Sequence, residues 1–479
     1  MRFKQLFIRI CSSSLLFISL PGVWAFAPRA YAGLFEDATS GGPKQESGTQ
    51  DANKSPVELS GYVRGDLYLG KVPDQNVTEI KNGFGEAAAK LKVRLGDWGD
   101  GRAELRAREG YSGDAVSGTV GLREAFVDLY LGPVDIRFGH QVIVWGRADA
   151  FNPTDNLTPH DMRVRSPDED DRRGANLALK TSVIFNPLRW EFIYLPFYAP
   201  SHFPVFSMPG PISFLEPAYP DADFEHGTLA TRLNVELPGV DFSVSYLFGY
   251  STFPGIELAG FNMAGAAGPE VAIRFRPYQH QVVGADFATS LGDWLGLRGE
   301  AALNWPVQHD DAEYIPQPEI QYVLGVDHDF GEVSLIVQYV GRTVLDWEAV
   351  EPTGLLDLAA GKTPTPEQLA AIMQDPEGAA RTEIKRKTRM TASQTEHVSH
   401  AATVRVAWQL LQEALTLELL GFYNLSTGEW LVRPMISYDI ADGLSAIVGG
   451  EIYGGPDETL FGTIDEIQSA GFVELKAYF

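Results

Sequence analysis

Six cations stand at every second position in two short runs. Lys90, Lys92 and Arg94 make the first, and Arg102, Arg106 and Arg108 the second, with Glu86 and Glu104 the acids on the same faces. Residues of this kind at this spacing make and break no bonds. Fixed cations on a low-dielectric wall attract anions and orient dipolar solutes, so the chemistry they suggest is electrostatic guidance. Arg64, Arg137, Lys180 and Arg189 fall on matching positions of neighbouring segments. Glu236, Asp241, Glu300, Glu319, Asp327, Glu418, Glu429, Asp439, Glu451 and Glu474 occupy the corresponding positions later in the chain, with fewer bases. A basic wall facing an acidic one is the expectation. The plainer alternative is that these charges pair with one another and keep the space between them hydrated.

Reactive chemistry finds no support in the residues. No Gly-x-Ser-x-Gly elbow, HExxH, phosphate loop or dinucleotide fingerprint stands in a fitting context, and no Ser partner can be assigned to His226 or His280. Asp168–Asp171 has carboxylates but lacks the spaced Asp-x-Asp-x-Asp-Gly order of a calcium loop. Neither a catalytic residue nor a metal or other cofactor is expected. A formal net charge of -25 argues against nucleic acid as a partner.

Positioning such a wall needs strands, because only period two sends alternate side chains to opposite faces. From Val57 the periodicity is two almost to the end. Ala87, Ala89, Leu91 and Val93 oppose Glu86, Lys90, Lys92 and Arg94, and Val240, Phe242, Val244, Tyr246 and Phe248 repeat the scheme. Connections alternate in length. Turns such as Gly96-Asp97-Trp98-Gly99, Gly132-Pro133, Pro238-Gly239, Gly292-Asp293-Trp294 and Ala441-Asp442-Gly443 are short. Between them lie longer stretches at 71–84, 110–118, 143–173, 200–225, 252–269, 306–317, 346–396 and 455–465. Tight turns at one end and long loops at the other describe a transmembrane antiparallel β-barrel. The count is about 18 strands (16–20), with 270–291 an unusually long tenth, and the barrel occupies 57–479. Trp98 and Trp294 are expected at the inner membrane-water interface.

The ends of the sequence fit export. Arg2, Lys4 and Arg9 precede an apolar stretch, Pro21 interrupts it, and Ala30-Tyr31-Ala32 supplies small residues for cleavage, so 1–32 reads as a signal peptide. Its removal takes away Cys11, the sole cysteine, and leaves 34 basic residues against 63 acidic, net -29. Residues 33–56 read as a flexible periplasmic leader. Gly471, Val473, Leu475, Ala477 and Phe479 are apolar at every second position, and Phe479 is expected to be the membrane-insertion signal. The partners this implies are outer-membrane lipid, the outer-membrane barrel assembly machinery and a polar or anionic solute. The location is the outer membrane of a Gram-negative bacterium, and the oligomeric state is open.

Two connections stand apart. Residues 143–173 are too long and too punctuated for a hairpin, and are expected to fold inward as a constriction loop. Its candidate residues are Arg147, Asp149, Asn152, Asp155, Arg163 and Arg165. Residues 346–396 contain Thr365-Pro366-Glu367, a helix-start signal, and read as a long, partly helical extracellular loop that plugs or covers the mouth.

The run Arg137-x-Gly139-x-Gln141, Trp145-Gly146-x-x-Asp149, Asn152-Pro153 resembles a segment of alginate-export-type porins and related proteobacterial barrels. That resemblance covers about residues 120–156 and implies an outer-membrane porin that passes an anionic solute or polymer. Trp145-Gly146-Arg147 departs from it where the family tends to have Gly-Asp. The function expected is a channel for polar, anionic small solutes or oligosaccharide. A scaffold barrel of an export or electron-transfer complex is the alternative.

Overall fold

The structure is a computed structural model. It describes residues 55–479 apart from 73–76, 113–114, 150, 204–211, 263–269, 293, 309–311, 360–361 and 458. The expected signal peptide, and all but the last two residues of the leader, lie outside the described residues.

The alternating segments form strands β1 Val57–Lys71, β2 Thr78–Arg94, β3 Gly99–Ser112, β4 Ala115–Leu131, β5 Val134–Gln141, β6 Asn176–Phe185 and β7 Leu188–Leu195. Then come β8 Ile212–Phe214, β9 Thr228–Leu237, β10 Val240–Tyr250, β11 Gly255–Asn262, β12 Glu270–Arg276, β13 Gln279–Leu291 and β14 Leu295–Pro306. The last are β15 Glu319–Phe330, β16 Val333–Val344, β17 Val398–Leu410, β18 Leu415–Asn424, β19 Trp430–Ala441, β20 Leu444–Gly454 and β21 Ala470–Tyr478. Eighteen make one antiparallel sheet, and β8, β11 and β12 make a separate three-stranded one. β21 pairs with β1 from Tyr62↔Tyr478 to Gly70↔Ala470, which closes the large sheet into a barrel. Closure leaves no edge strand with unpaired backbone groups, as a lipid environment demands.

Two expected boundaries are corrected. The long tenth strand at 270–291 is two strands. β12 belongs to the small sheet and β13 to the barrel, and Pro277 between them cannot donate to a ladder. The supposed long connection at 110–118 is mostly strand, since β3 runs to Ser112 and β4 starts at Ala115. Its Gly and Ser content hid a continuing ladder.

The outward face is apolar. Leu59, Leu91, Leu105, Val127, Phe138, Leu233, Val244, Leu324, Leu419, Val448 and Leu475 are all exposed. A water-soluble protein rarely shows so continuous a patch, whereas a membrane barrel needs one. No helix among the described residues is long and apolar enough to cross a membrane. The short turns gather at one end. There Gly132, Gly239 and Gly443 have φ of 70°, 85° and 77°, a left-handed turn conformation that glycine adopts without strain. Trp98 and Trp294, 70% and 64% exposed, stand at that end.

At the other end the long connections turn into the barrel. Helices α1 Leu355–Ala359, α2 Pro366–Gln374 and α3 Pro376–Thr391 lie within 345–397, and α4 Leu460–Gln468 precedes β21. Thr365 caps α2 in a reciprocal box with Gln368, at 3.2 and 3.0 Å. Leu355, Ile372, Ala380, Ile384 and Met390 from these helices, with Leu460 and Phe461 of α4 and Ile256 and Ile273 of the small sheet, form one buried cluster. It also contains the inward residues Val323, Ala401, Leu420, Phe422 and Leu431, and Phe151 of the connection 142–175. The mouth over β15–β19 is thus filled by an apolar core.

Candidate functional site

Residues 142–175 leave β5 and fold into the barrel. The first limb packs Ile143, Trp145 and Leu157 on the inward residues Ala178, Ile193, Leu195, Ala230, Leu247, Val282 and Ala302. Its sharpest anchor is Glu300 on the inner face of β14. The carboxylate accepts the backbone N–H of Arg147, Ala148 and Thr154 at 3.0, 3.3 and 2.7 Å, and the Thr154 hydroxyl at 2.7 Å. Gly146 makes this approach possible. Its φ is 105°, and a Cβ there would come within 2.6 Å of both Glu300 and Asn152. Asn152 closes the turn, its carbonyl accepting from the Asp155 N–H at 3.1 Å. Arg147 donates to Asp286 at 2.6 Å and lies 3.7 Å from Asp241. Asp149 meets Arg405 of β17 at 3.3 Å. β17 stands nine places from β5 in either direction around the 18 strands, so this contact spans the barrel.

The second limb docks on the other side. Asp171 meets Arg64 of β1 at 2.6 Å and Arg106 of β3 at 2.5 Å. Arg172 bridges Glu169 at 2.6 Å and Glu451 of β20 at 3.6 Å. Arg433 of β19 donates to the Pro167 carbonyl at 2.5 Å, and Arg123 of β4 to the carbonyls of Asp170 and Arg173. Arg165 donates to the carbonyls of Ile467 and Gln468 at the end of α4, at 2.9 and 3.0 Å. The limbs are tied together by Asp155 and Arg173 at 2.5 Å. Arg163 alone of the candidate loop residues is well exposed, forked onto Asp161 at 2.7–2.8 Å. Burial pushes the Asp171 carboxyl up, but the guanidinium groups of Arg64 and Arg106 outweigh it and hold the group below the usual carboxylate range. Burial also drives the His160 imidazole down to about 3, with Arg173 adding repulsion, so this ring is neutral where it packs against Phe253 at 6.2 Å.

All eight residues of the expected basic wall lie on inward faces, but they divide into two groups. Arg64 is covered: its side chain has no exposure, and it sits among Glu86, Asp171 and Glu474 at 2.7, 2.6 and 3.2 Å. Arg106 is also held by Glu104 at 2.6 Å, and Arg108 by Glu86 at 2.6 Å. Arg137 forks onto Asp128 at 2.7 and 3.0 Å and stacks 4.2 Å above Phe126. Gly139 lets β5 come that close, with φ 141° and room for no Cβ beside Phe126. Arg94 takes Glu58 at 2.5 Å, and Lys90 lies 3.6 Å from Glu104. Lys92 and Arg102 form no ion pair among the described residues.

Part of the acidic wall is likewise mated, although Glu236 and Asp439 form no ion pair among the described residues. Asp327 pairs with Arg298 at 2.6 Å, Glu319 with Arg342 at 3.3 Å, Glu418 with Arg405 at 2.7 Å, and Glu451 with Arg433 at 3.5 Å. Those four arginines were passed over in the sequence reading, although each stands on an inward position of its strand. Their parity was the available signal. Asp168–Asp171 holds arginines, and among the described residues no group of three His, Cys, Asp or Glu side chains could hold a metal.

No protein-family model and no curated protein matches this sequence. Solved structures do match in shape. A BenF-like porin from Pseudomonas fluorescens Pf-5 superposes with a TM-score of 0.52 at 9% identity, over 88% of this chain and 98% of that one. OccK2 (OpdF) of Pseudomonas aeruginosa, solved in complex with glucuronate, gives 0.50 at 10% identity over 88% and 96%. The outer-membrane protein OpdK of the same organism gives 0.50 at 8% identity over 88% and 98%. None of these is an alginate exporter, so the resemblance drawn from 137–155 holds only at the level of a porin-type barrel. At such identities the likeness is one of fold: a closed 18-stranded antiparallel barrel of the kind that porins use.

Proposed function

We propose that the protein is a channel of a Gram-negative outer membrane that passes small polar solutes, anions in preference to cations, through a lumen narrowed by residues 142–175. The observation that carries this reading is the loop itself. It is pinned at mid-height to opposite sides of a barrel whose outside is apolar and whose inner wall is charged. A scaffold sheathing another protein would need that space open, and the Asp149–Arg405 contact spans it. The anion preference rests on the cations of β2 and β3 that no carboxylate neutralises. Fixed charge of one sign beside a narrow aqueous path enriches the opposite ion.

Purified protein in planar bilayers tests both parts. Discrete conductance steps are expected, with a reversal potential under a salt gradient displaced toward the anion equilibrium potential. A silent barrel would refute the channel. Steps with cation selectivity would refute the preference alone.

A further inference from the structure

On the inner wall of β2 and β3 the register sets four charged residues against four others. Glu86 faces Arg108, Lys90 faces Glu104 and Arg94 faces Asp100, each an attractive pairing. The fourth pair is Lys92 against Arg102. Like charges directly opposite on one face of an antiparallel ladder destabilise it, so this pair stands out from its neighbours.

The acids nearby are engaged elsewhere. Glu58 is opposite Lys92 across β1, but its carboxylate lies 2.5 Å from Arg94. Glu104 is held by Arg106 and Lys90, and Asp100 accepts from the Tyr130 hydroxyl at 3.3 Å. Arg102 is exposed and Lys92 half-buried. Both lie close to the short-turn ends of their strands, beyond the buried node where Arg64 and Arg106 grip the loop.

We infer that Lys92 and Arg102 form an anion subsite that opens on the short-turn mouth of the barrel and takes an oxyanion, whether carboxylate, phosphate or sulfate, bridged between them. An ammonium beside a guanidinium offers a point charge and a planar fork, and together they suit an oxygen-rich anion. The inference deepens the channel reading and adds sidedness to it. From the short-turn mouth an anion reaches this pair directly, whereas from the long-loop mouth the fixed loop stands in front of it.

Tripolyphosphate added to one side of a bilayer of singly oriented channels tests this. Block is expected at about tenfold lower concentration from the short-turn side, and Lys92→Gln/Arg102→Gln is expected to remove that difference while conductance persists. Equal block from both sides, or unchanged one-sided block in the double variant, would overturn the subsite and leave the channel standing. A protein that carries no current would overturn the channel instead. The subsite is then read by calorimetric titration of tripolyphosphate into the barrel in detergent, where loss of binding in the double variant supports it and unchanged binding overturns it.

Discussion

Arg64 and Lys92 belong to the same inner wall, one strand apart, and do opposite things. Arg64 has no exposed side chain and touches carboxylates from β2, from the loop and from β21. Lys92 touches none among the described residues. Inward direction is therefore no guide to role: what decides is whether 142–175 lies on top. The loop-side half of the ladder holds the loop in place, and the short-turn half is left uncovered by it.

The largest expected effect tests the covered half. Arg64→Ala takes from Glu474 its one ion pair among the described residues and leaves Glu86 and Asp171 to Arg108 and Arg106, and removal of one partner from such a buried cluster costs about 3–5 kcal/mol. Thermal unfolding in detergent should fall accordingly, and conductance should rise as the second limb lifts. If the variant melted like the wild type, the covered node would not be structural. Glu300→Ala comes next. The N–H groups of Arg147, Ala148 and Thr154 and the Thr154 hydroxyl lose one shared acceptor, a net loss of about 1.5–3 kcal/mol once water takes its place. Open-channel noise is the measurement, and a quiet trace would show that the first limb is held without Glu300.

Acid should loosen the same loop by a smaller amount. The His160 imidazole is held at about 3 in the folded chain against 6.5 when unfolded. Its folded form binds fewer protons across that window, so stability falls as pH drops below about 6.5 and continues to fall toward 3. Hydrogen exchange across 156–175 should accelerate in that range. His160→Asn should flatten the response, and an equally steep response in that variant would place the titration elsewhere. Least disruptive to the fold is Lys92→Glu/Arg102→Glu. Positions like these, one exposed and one half-buried with no ion pair, change stability by about 0.5 kcal/mol, yet the reversal potential should move toward the cation side. A large loss of stability here would erase the contrast between the two halves.

Much of the barrel could be read from alternation alone, because lipid on one side and water on the other impose period two on every strand. Eighteen strands and the tight turns followed from it. The failures have physical causes. Pro277 divides a segment whose periodicity runs on through it, and 110–118 has turn-forming residues within a ladder. α3 was missed because Glu377, Arg381, Lys385 and Lys387 make its sequence look like solvated loop, while Ala380, Ile384 and Met390 bury one side. At the site, parity showed that Glu300 and Glu451 point inward but not what meets them. All the partners of Glu300, and Arg172 beside Glu451, come from a loop more than 140 residues away in sequence, and such contacts leave no local pattern.

The node at Arg64 joins the first strand, the loop and the last strand, with Arg64 and Glu474 410 positions apart along the chain. Contacts of such separation form late, because their loop-closure entropy must be met before they contribute. A sheet lacking β21 has no Glu474 beside Arg64 and no β1–β21 seam. The part of the second limb's anchorage that runs through Arg64 and Glu474 is therefore complete only when the barrel shuts. Closing the seam and completing this node become one event, and a half-assembled barrel holds the loop by its remaining contacts alone.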